Sequence, residues 1–309
     1  MRLCACMLVR LMKSIFLLSP AKINLHLAVL GKRPDGYHEI FTLFHRISIF
    51  DELILKKCSE GGNCFKLSTQ PPEIIPFKKN IIYKAYRLLR KAVSWKGGVH
   101  ITLHKKIPVQ AGLGGGSSNA AYFLLGMNEL FGLGLSLKTL CELGQKLGAD
   151  VPFFLHKVNQ AIGRGRGDRI QPVPFKEKMW ITLIIPNFYV STKEAYQSLQ
   201  KTGIITCRRA RLTRINHAVT ITSVLSKQRG KHATSVILRN DLFEASCLVQ
   251  PKLKEIDFLL ASLSIKNKLM SGSGSAMFCL HRTKKEAERI GRQIKKRKPK
   301  FKVFSCHTY

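Results

Sequence analysis

Pro108-Val-Gln-Ala-Gly-Leu-Gly-Gly-Gly-Ser-Ser118 is the stretch that decides how this chain is read. Four of the five positions from 112 to 116 are glycine, which leaves the backbone amides uncovered and opens φ values closed to other residues. The strand-like alternation of Val99, Ile101 and Leu103 precedes it, running to Ile107, and an apolar helical stretch from Asn119 to Phe131 follows. Ser117 and Ser118 therefore stand at a helix start, where unpaired N–H groups and the positive end of the macrodipole favour an anion. A plain turn with a serine cap needs one or two glycines, so phosphate binding is the better reading of Pro108, Val109, Gln110, Ala111, Gly112, Leu113, Gly114, Gly115, Gly116, Ser117 and Ser118. No Gly-Lys-Ser/Thr follows at Walker spacing, and Gly112, Gly114 and Gly116 miss the G-x-G-x-x-G spacing by one. The loop is a third kind of phosphate cradle.

Working outward, Ser19 to Leu30 alternates Ile23, Leu25, Leu27 and Val29 with Lys22, Asn24 and His26, a strand pattern. Gly31-Lys-Arg-Pro-Asp-Gly36 is a turn cluster, and Phe41 to Leu55 reads as strand again. Helical spacing covers Asn80 to Ala92 and Leu137 to Leu147, the latter closed by Gly148. Trp180 to Ile185, Met277 to Leu280 and Lys302 to Ser305 read as strands, and Asp241 to Leu263 as helix-like. Residues 19–172 and 173–309 are the expected domains, with a soft boundary at Gln171-Pro-Val-Pro174. Residues 1–18 are basic and apolar with no cleavage-site pattern; Met12 is a candidate start.

The bulk composition excludes several classes. A chain of 309 residues with 45% hydrophobic content can bury a sizeable core, and no apolar run reaches the roughly 18–20 residues that span a bilayer. The nine cysteines form no CxxC pair; Cys4/Cys6 and Cys58/Cys64 have poor metal-ligand spacing. They read as ordinary thiols in a reducing cytoplasm, with no metal among the protein's own ligands. The formal charge of +34 is concentrated between Glu194 and Asp241, where no acidic residue occurs, and in KKRKPKFK near the C-terminus. Neither stretch interleaves aromatics, so a solvated basic face is expected and nucleic acid is an unlikely partner.

Three motifs in order carry a family resemblance: Ser19-Pro-Ala-Lys-Ile-Asn-Leu25 with Asp35-Gly-Tyr-His-Glu39, the glycine loop with Asn119-Ala-Ala121, and Leu147-Gly-Ala-Asp-Val-Pro-Phe153. Leu269-Met-Ser-Gly-Ser-Gly-Ser-Ala276 supplies a further glycine motif. The chain resembles the GHMP kinases, and the opening segments resemble a branch acting in non-mevalonate isoprenoid synthesis. The resemblance implies an α+β fold: a ribosomal-protein-S5-domain-2-like N-terminal domain and a ferredoxin-like C-terminal domain, with ATP and Mg²⁺ as cofactors. It implies Asp150 as the base that takes the acceptor hydroxyl's proton and Lys22 as the group that polarises it and neutralises developing charge. It implies Tyr37 and His38 as contacts to a cytidine-bearing small-molecule substrate, and Gly272, Ser273 and Gly274 as a second phosphate clamp. Asn24 and His26 share the face of Lys22 and are candidates for the same ligand. Phe188 and Tyr189 are weaker candidates for an aromatic surface. Another GHMP kinase, such as one acting on homoserine, or a non-catalytic nucleotide- or RNA-binding module are the alternatives.

Overall fold

A computed structural model describes residues 13–58, 64–72, 77–174, 177–202 and 238–309. Residues 1–12 of the candidate leader and most of the acid-free stretch before Asp241 lie outside these, whereas Ser14 to Leu18 of that leader form the start of a strand. The chain divides into two compact units, one built from residues up to 21, 49–107 and 114–158, the other from 22–48, 108–113 and 159–309. Two long strands, β1 (Ser14–Lys32) and β2 (His38–Lys57), contribute residues to both.

In the first unit β3 (Phe65–Gln70) pairs in parallel with β4 (Val99–His104), and β4 pairs antiparallel with the end of β2, Leu53 lying opposite Leu103. Among its described residues are four α-helices: α1 (Ile81–Ala92), α2 (Gly115–Leu130), α3 (Leu137–Leu147) and α4 (Val151–Leu155). Asn80 caps α1 by accepting from the Ile82 amide, and Ser136 caps α3 by accepting from Thr139. α2 carries Ala120, Ala121, Phe123, Leu124 and Met127 buried on nearly every side, as expected of a helix enclosed by neighbours. Its Gly126 lies against the strands: a Cβ there would sit 2.5 Å from Leu55 Cδ1 and 2.6 Å from Leu17 Cδ1. A methyl at that point would push helix and sheet apart.

In the second unit β5 (Gln160–Arg164) pairs with the start of β2 and with β6 (Arg169–Pro172), while β8 (Arg239–Asn240) runs parallel to the end of β1. A separate antiparallel sheet has the order β11-β7-β10-β9, from β7 (Trp180–Ile185), β9 (Lys268–Met270), β10 (Met277–His281) and β11 (Lys302–His307). Helices α5 (Thr192–Ser198), α6 (Leu242–Val249), α7 (Lys252–Ser262) and α8 (Lys284–Arg297) belong to this unit. Its core joins Leu27, Val29, Ile184, Leu242, Leu260, Met270, Met277 and Ile294.

The stretch Asp241 to Leu263 is two helices, not one. Pro251 forces the residue before it out of the helical region, and Gln250 accordingly sits at φ −137°, ψ 88°. The basic run near the C-terminus begins on the last turn of α8 and continues past it to Lys302 at the start of β11: Ala287, Ile290, Gly291 and Ile294 are the buried face of the helix, and Lys295, Lys296 and Arg297 end it where cations suit its dipole. Among the described residues no helix is long and apolar enough to cross a membrane.

His45 lies opposite Gln160 in the β2–β5 ladder, fully buried, and burial pushes its imidazole down to about 4. The folded chain therefore holds His45 neutral where an unfolded chain would protonate it. Stability contributed at neutral pH falls as pH drops from about 6.5 toward about 4 and levels off below, a loss of about 3 kcal/mol from this group. Urea unfolding at pH 7.5 and 4.5 checks this: His45→Gln should flatten that part of the slope, and an unchanged slope would remove His45 as its source.

Candidate active site

The glycine loop is wound by residues with positive φ: Gln110 at 56°, Gly112 at 75° and Gly114 at 68°. Gly114 caps α2 without a side chain, and Ser118 N–H, the first amide turned back into the helix, donates to Gly114 O at 2.8 Å. The amides of Gly115, Gly116 and Ser117 thus have no intrahelical acceptor, which makes this end of a sixteen-residue helix an anion seat.

Within the first unit a buried polar network fixes this helix start. Asp51, wholly buried, accepts from Lys105 Nζ at 2.6 Å, Asn119 Nδ2 at 2.8 Å, and the backbone amides of Lys106 and Ile107 at 2.8 Å each. Asn119 also donates to Ser19 Oγ at 3.0 Å, and Ser19 donates to Ser118 Oγ at 2.8 Å. One carboxylate thereby fastens the strand leaving β4 to the first turn of α2. Gly115 packs on the same strand, since a Cβ there would lie 2.8 Å from Ile107 Cγ2. Asp150 sits just before α4, half-buried, and makes no side-chain capping bond to that helix. Its segment borders the loop: a Cβ on Gly148 would be 3.7 Å from Ser117 Oγ.

Within the second unit Lys22, buried, donates from Nζ to Asn24 Oδ1 at 2.7 Å, and its backbone amide donates to Leu113 O at 2.9 Å. A lysine only donates, so the Asn24 amide must present oxygen to it and nitrogen to Thr42 Oγ1, at 2.7 Å. The Thr42 hydroxyl in turn donates to His26 O at 2.7 Å. His26 packs edge-on against Phe41, with ring centroids 5.8 Å apart.

The two glycine motifs interlock in this unit. Ser271 Oγ donates to Gly112 O at 2.9 Å and Ala276 N–H to Ala111 O at 3.2 Å. A Cβ on Gly112 would fall 2.1 Å from Ser271 O, so the backbones touch where the side chain would be. Gly272 and Gly274 are both at positive φ, and a Cβ on Gly272 would lie 3.5 Å from Asn24 Oδ1. Asn240 holds the turn from behind, donating to Met270 O at 2.8 Å and Gly272 O at 2.7 Å; Thr192 and Ser273 hydroxyls meet at 2.7 Å. Gly112→Ala is therefore expected to weaken ATP binding: the left-handed backbone alone costs about 1–3 kcal/mol, or roughly 5- to 150-fold. Isothermal titration with ATP analogues checks it, and wild-type affinity would show that the interlock does not shape the loop.

Tyr37 is exposed, with the Arg166 guanidinium 4.8 Å from its ring centroid. His38 stacks on Tyr196 at 5.0 Å and 26°, and burial, then the neighbouring Lys32 charge, holds its imidazole below the ordinary value. A neutral imidazole keeps one donor and one acceptor nitrogen. Arg33, bridging Asp35 and Glu39, and Glu39 accepting from the Gly165 amide at 3.1 Å fasten this turn to the Gly163–Asp168 segment. Asp51, Asn240 and Tyr196 carry no local pattern in the sequence, because each acts across a long chain separation; Asn119 lies in the glycine-loop motif and Arg166 in a glycine-rich segment, but the sequence marks no role for either. Tyr189 is largely exposed, whereas Phe188 packs against the second unit's core.

Comparison with known proteins agrees with this construction. The family profile "GHMP kinases N terminal domain" matches residues 80–157, which include the glycine loop and Asp150. A solved homoserine kinase from Cytophaga hutchinsonii shares the fold, with a TM-score of 0.64 at 16% identity over 97% of this chain and 95% of that one. Fold and loop together are those of a small-molecule kinase. Nearer relatives narrow this. The 4-diphosphocytidyl-2-C-methyl-D-erythritol kinase of a Geobacter species is 38% identical over 285 residues, covering 92% of this chain and 96% of that protein. That of Syntrophus aciditrophicus is 40% identical over 280 residues, covering 89% and 93%. A crystal structure of 4-(cytidine 5'-diphospho)-2C-methyl-D-erythritol kinase superposes with a TM-score of 0.75 at 30% identity, covering 95% of this chain and 99% of that one. The chain belongs to the GHMP kinases and, within them, to the 4-diphosphocytidyl-2-C-methyl-D-erythritol kinase family.

Proposed function

We propose that this kinase transfers the γ-phosphoryl group of ATP to the 2-hydroxyl of 4-diphosphocytidyl-2-C-methyl-D-erythritol, in the cytoplasm and in the service of isoprenoid synthesis. The observation that carries the reading is the convergence, in one unit, of the Gly112 turn, the Ser271–Ala276 turn and the Lys22–Asn24 pair. Two backbone cradles of this kind suit the phosphates of two ligands, one the nucleotide and the other the acceptor.

Asp150 is the base in this reading. An alcohol is a poor nucleophile, and a positioned carboxylate accepts its proton as the phosphoryl group moves. Lys22, paired with Asn24 and held by its backbone to Leu113, supplies positive charge to the acceptor oxygen as that proton leaves. The amides of Gly115 to Ser117 bind the nucleotide phosphates. The Ser117 hydroxyl is a hard oxygen donor at the loop and suits Mg²⁺, which when bound with ATP would shield phosphate charge. Tyr37, His38 and Tyr196 offer aromatic faces for cytosine, with Arg166 beside them. We further assign the first unit to the S5-like and the second unit's four-stranded sheet to the ferredoxin-like half of the family fold.

Incubation with ATP–Mg²⁺ and the cytidyl-erythritol, with homoserine in a parallel reaction, tests the proposal by phosphate transfer. Transfer to homoserine alone would overturn the acceptor assignment.

A further inference from the structure

In the first unit β4 has β2 on one side and β3 on the other, and Gly98 precedes its first residue. Cys58 N–H donates to Gly98 O at 2.9 Å, and Val99 N–H donates to Cys64 O at 2.8 Å, so the two cysteines flank Gly98 from opposite sides. Side chains two apart on a strand share a face, which puts His100 on the same face as both cysteines. Gly98 is what admits them: a Cβ there would lie 2.4 Å from Cys64 O and 2.9 Å from Cys64 Cα. The Sγ atoms of Cys58 and Cys64 are 2.6 Å apart, and His100 Nε2 is 2.8 Å from the first and 3.3 Å from the second. Among the described residues this is the one group of three His, Cys, Asp or Glu side chains able to share a cation.

We propose that Cys58, Cys64 and His100 bind a thiophilic divalent cation, Zn²⁺. Two thiolates and an imidazole nitrogen form a soft donor set suited to tetrahedral zinc, with water as fourth ligand, once the two Sγ atoms part from 2.6 Å to the roughly 3.8 Å that tetrahedral Zn–S bonds of about 2.3 Å require. Binding releases the two thiol protons, Zn²⁺ plus two thiols giving the dithiolate complex and two protons. Lys56 and Lys66 stand opposite His100 in the ladders on either side. The dithiolate–zinc centre carries no net charge, so these ammonium groups do not oppose it. The six-residue β3 lies at the end of its sheet, and the metal would tie its first turn of chain to β2 across β4. The sequence expectation of no metal rested on the Cys-x5-Cys spacing; the third ligand comes from a strand 36 residues beyond Cys64.

The test uses the full chain, reduced with a phosphine and stripped of metal, titrated with Co²⁺. Thiolate-to-cobalt charge-transfer absorption should saturate at one Co²⁺ per chain and be displaced by Zn²⁺. It should be lost in Cys58→Ser and Cys64→Ser, shifted in His100→Gln, and kept in Cys141→Ser. Zn²⁺ should also raise the wild-type melting temperature and leave that of Cys64→Ser unchanged. Should a variant fail to fold, alkylation of the wild type decides: Zn²⁺ must slow labelling of Cys58 and Cys64 above other cysteines. No absorption in reduced wild type, absorption that survives both serine variants, unslowed labelling, or a Cys58–Cys64 disulfide in a chain that takes no Co²⁺ once reduced would each overturn the site.

Discussion

Asp150→Asn is expected to fold, to bind ATP with wild-type affinity and to lose turnover by about 10²- to 10⁴-fold, the range that a positioned general base supplies. The substitution keeps the shape while it removes the negative charge and with it the ability to take a proton. Asp150 makes no side-chain capping bond to α4, so the exchange breaks no capping hydrogen bond of that helix. The expected kinetic signature is a fall in kcat with the KM for ATP little changed, which marks an interaction used in the transition state. Single-turnover phosphate transfer with the cytidyl-erythritol measures it directly. Turnover within a few-fold of wild type would take the base role away from Asp150, while leaving the kinase assignment intact. An unfolded variant would instead make Asp150 structural, which circular dichroism and ATP titration distinguish.

Asp51→Ala is expected to produce the largest loss of stability, about 3–5 kcal/mol, because it strands the buried Lys105 ammonium and three further donors. Lys105→Met should cost less, since Asp51 would still accept from Asn119 and two backbone amides. Urea unfolding orders the two variants. The same substitution should weaken ATP binding, because Asp51 joins the strand entering the glycine loop to the first turn of α2. Equal stabilities for the two variants would show that the ion pair, and not the backbone anchorage, dominates. Wild-type ATP affinity in a folded Asp51→Ala would sever the network from the loop.

The relation between these residues explains what was readable in advance. Gly112 to Ser118 suggest phosphate binding because a dense glycine run has few other uses. Lys22 and Asp150 stand out only through motifs, since an isolated lysine or aspartate carries no local signal. In the sequence Asp51 is one residue of a strand, Phe41 to Leu55, yet it holds Ile107, 56 residues later, at the entry to the loop. Its partners are scattered over Ser19, Lys105 to Ile107 and Asn119, and only folding makes them neighbours. The same holds for Tyr196 against His38 and for His100 against Cys58 and Cys64.

The chain's own order of residues determined the local elements: α3 begins and ends at the predicted Leu137 and Leu147, and β7 spans Trp180 to Ile185 as its alternation requires. Those follow from periodicity, caps and turn residues, which act over a few positions. The tertiary structure decided which elements touch. It set Ser271 against Gly112 and put the buried Asp51 carboxylate against the first turn of the helix that follows the glycine loop. Contacts of that kind depend on burial and on hydrogen bonds between distant segments, and burial exists only once the chain has closed on itself.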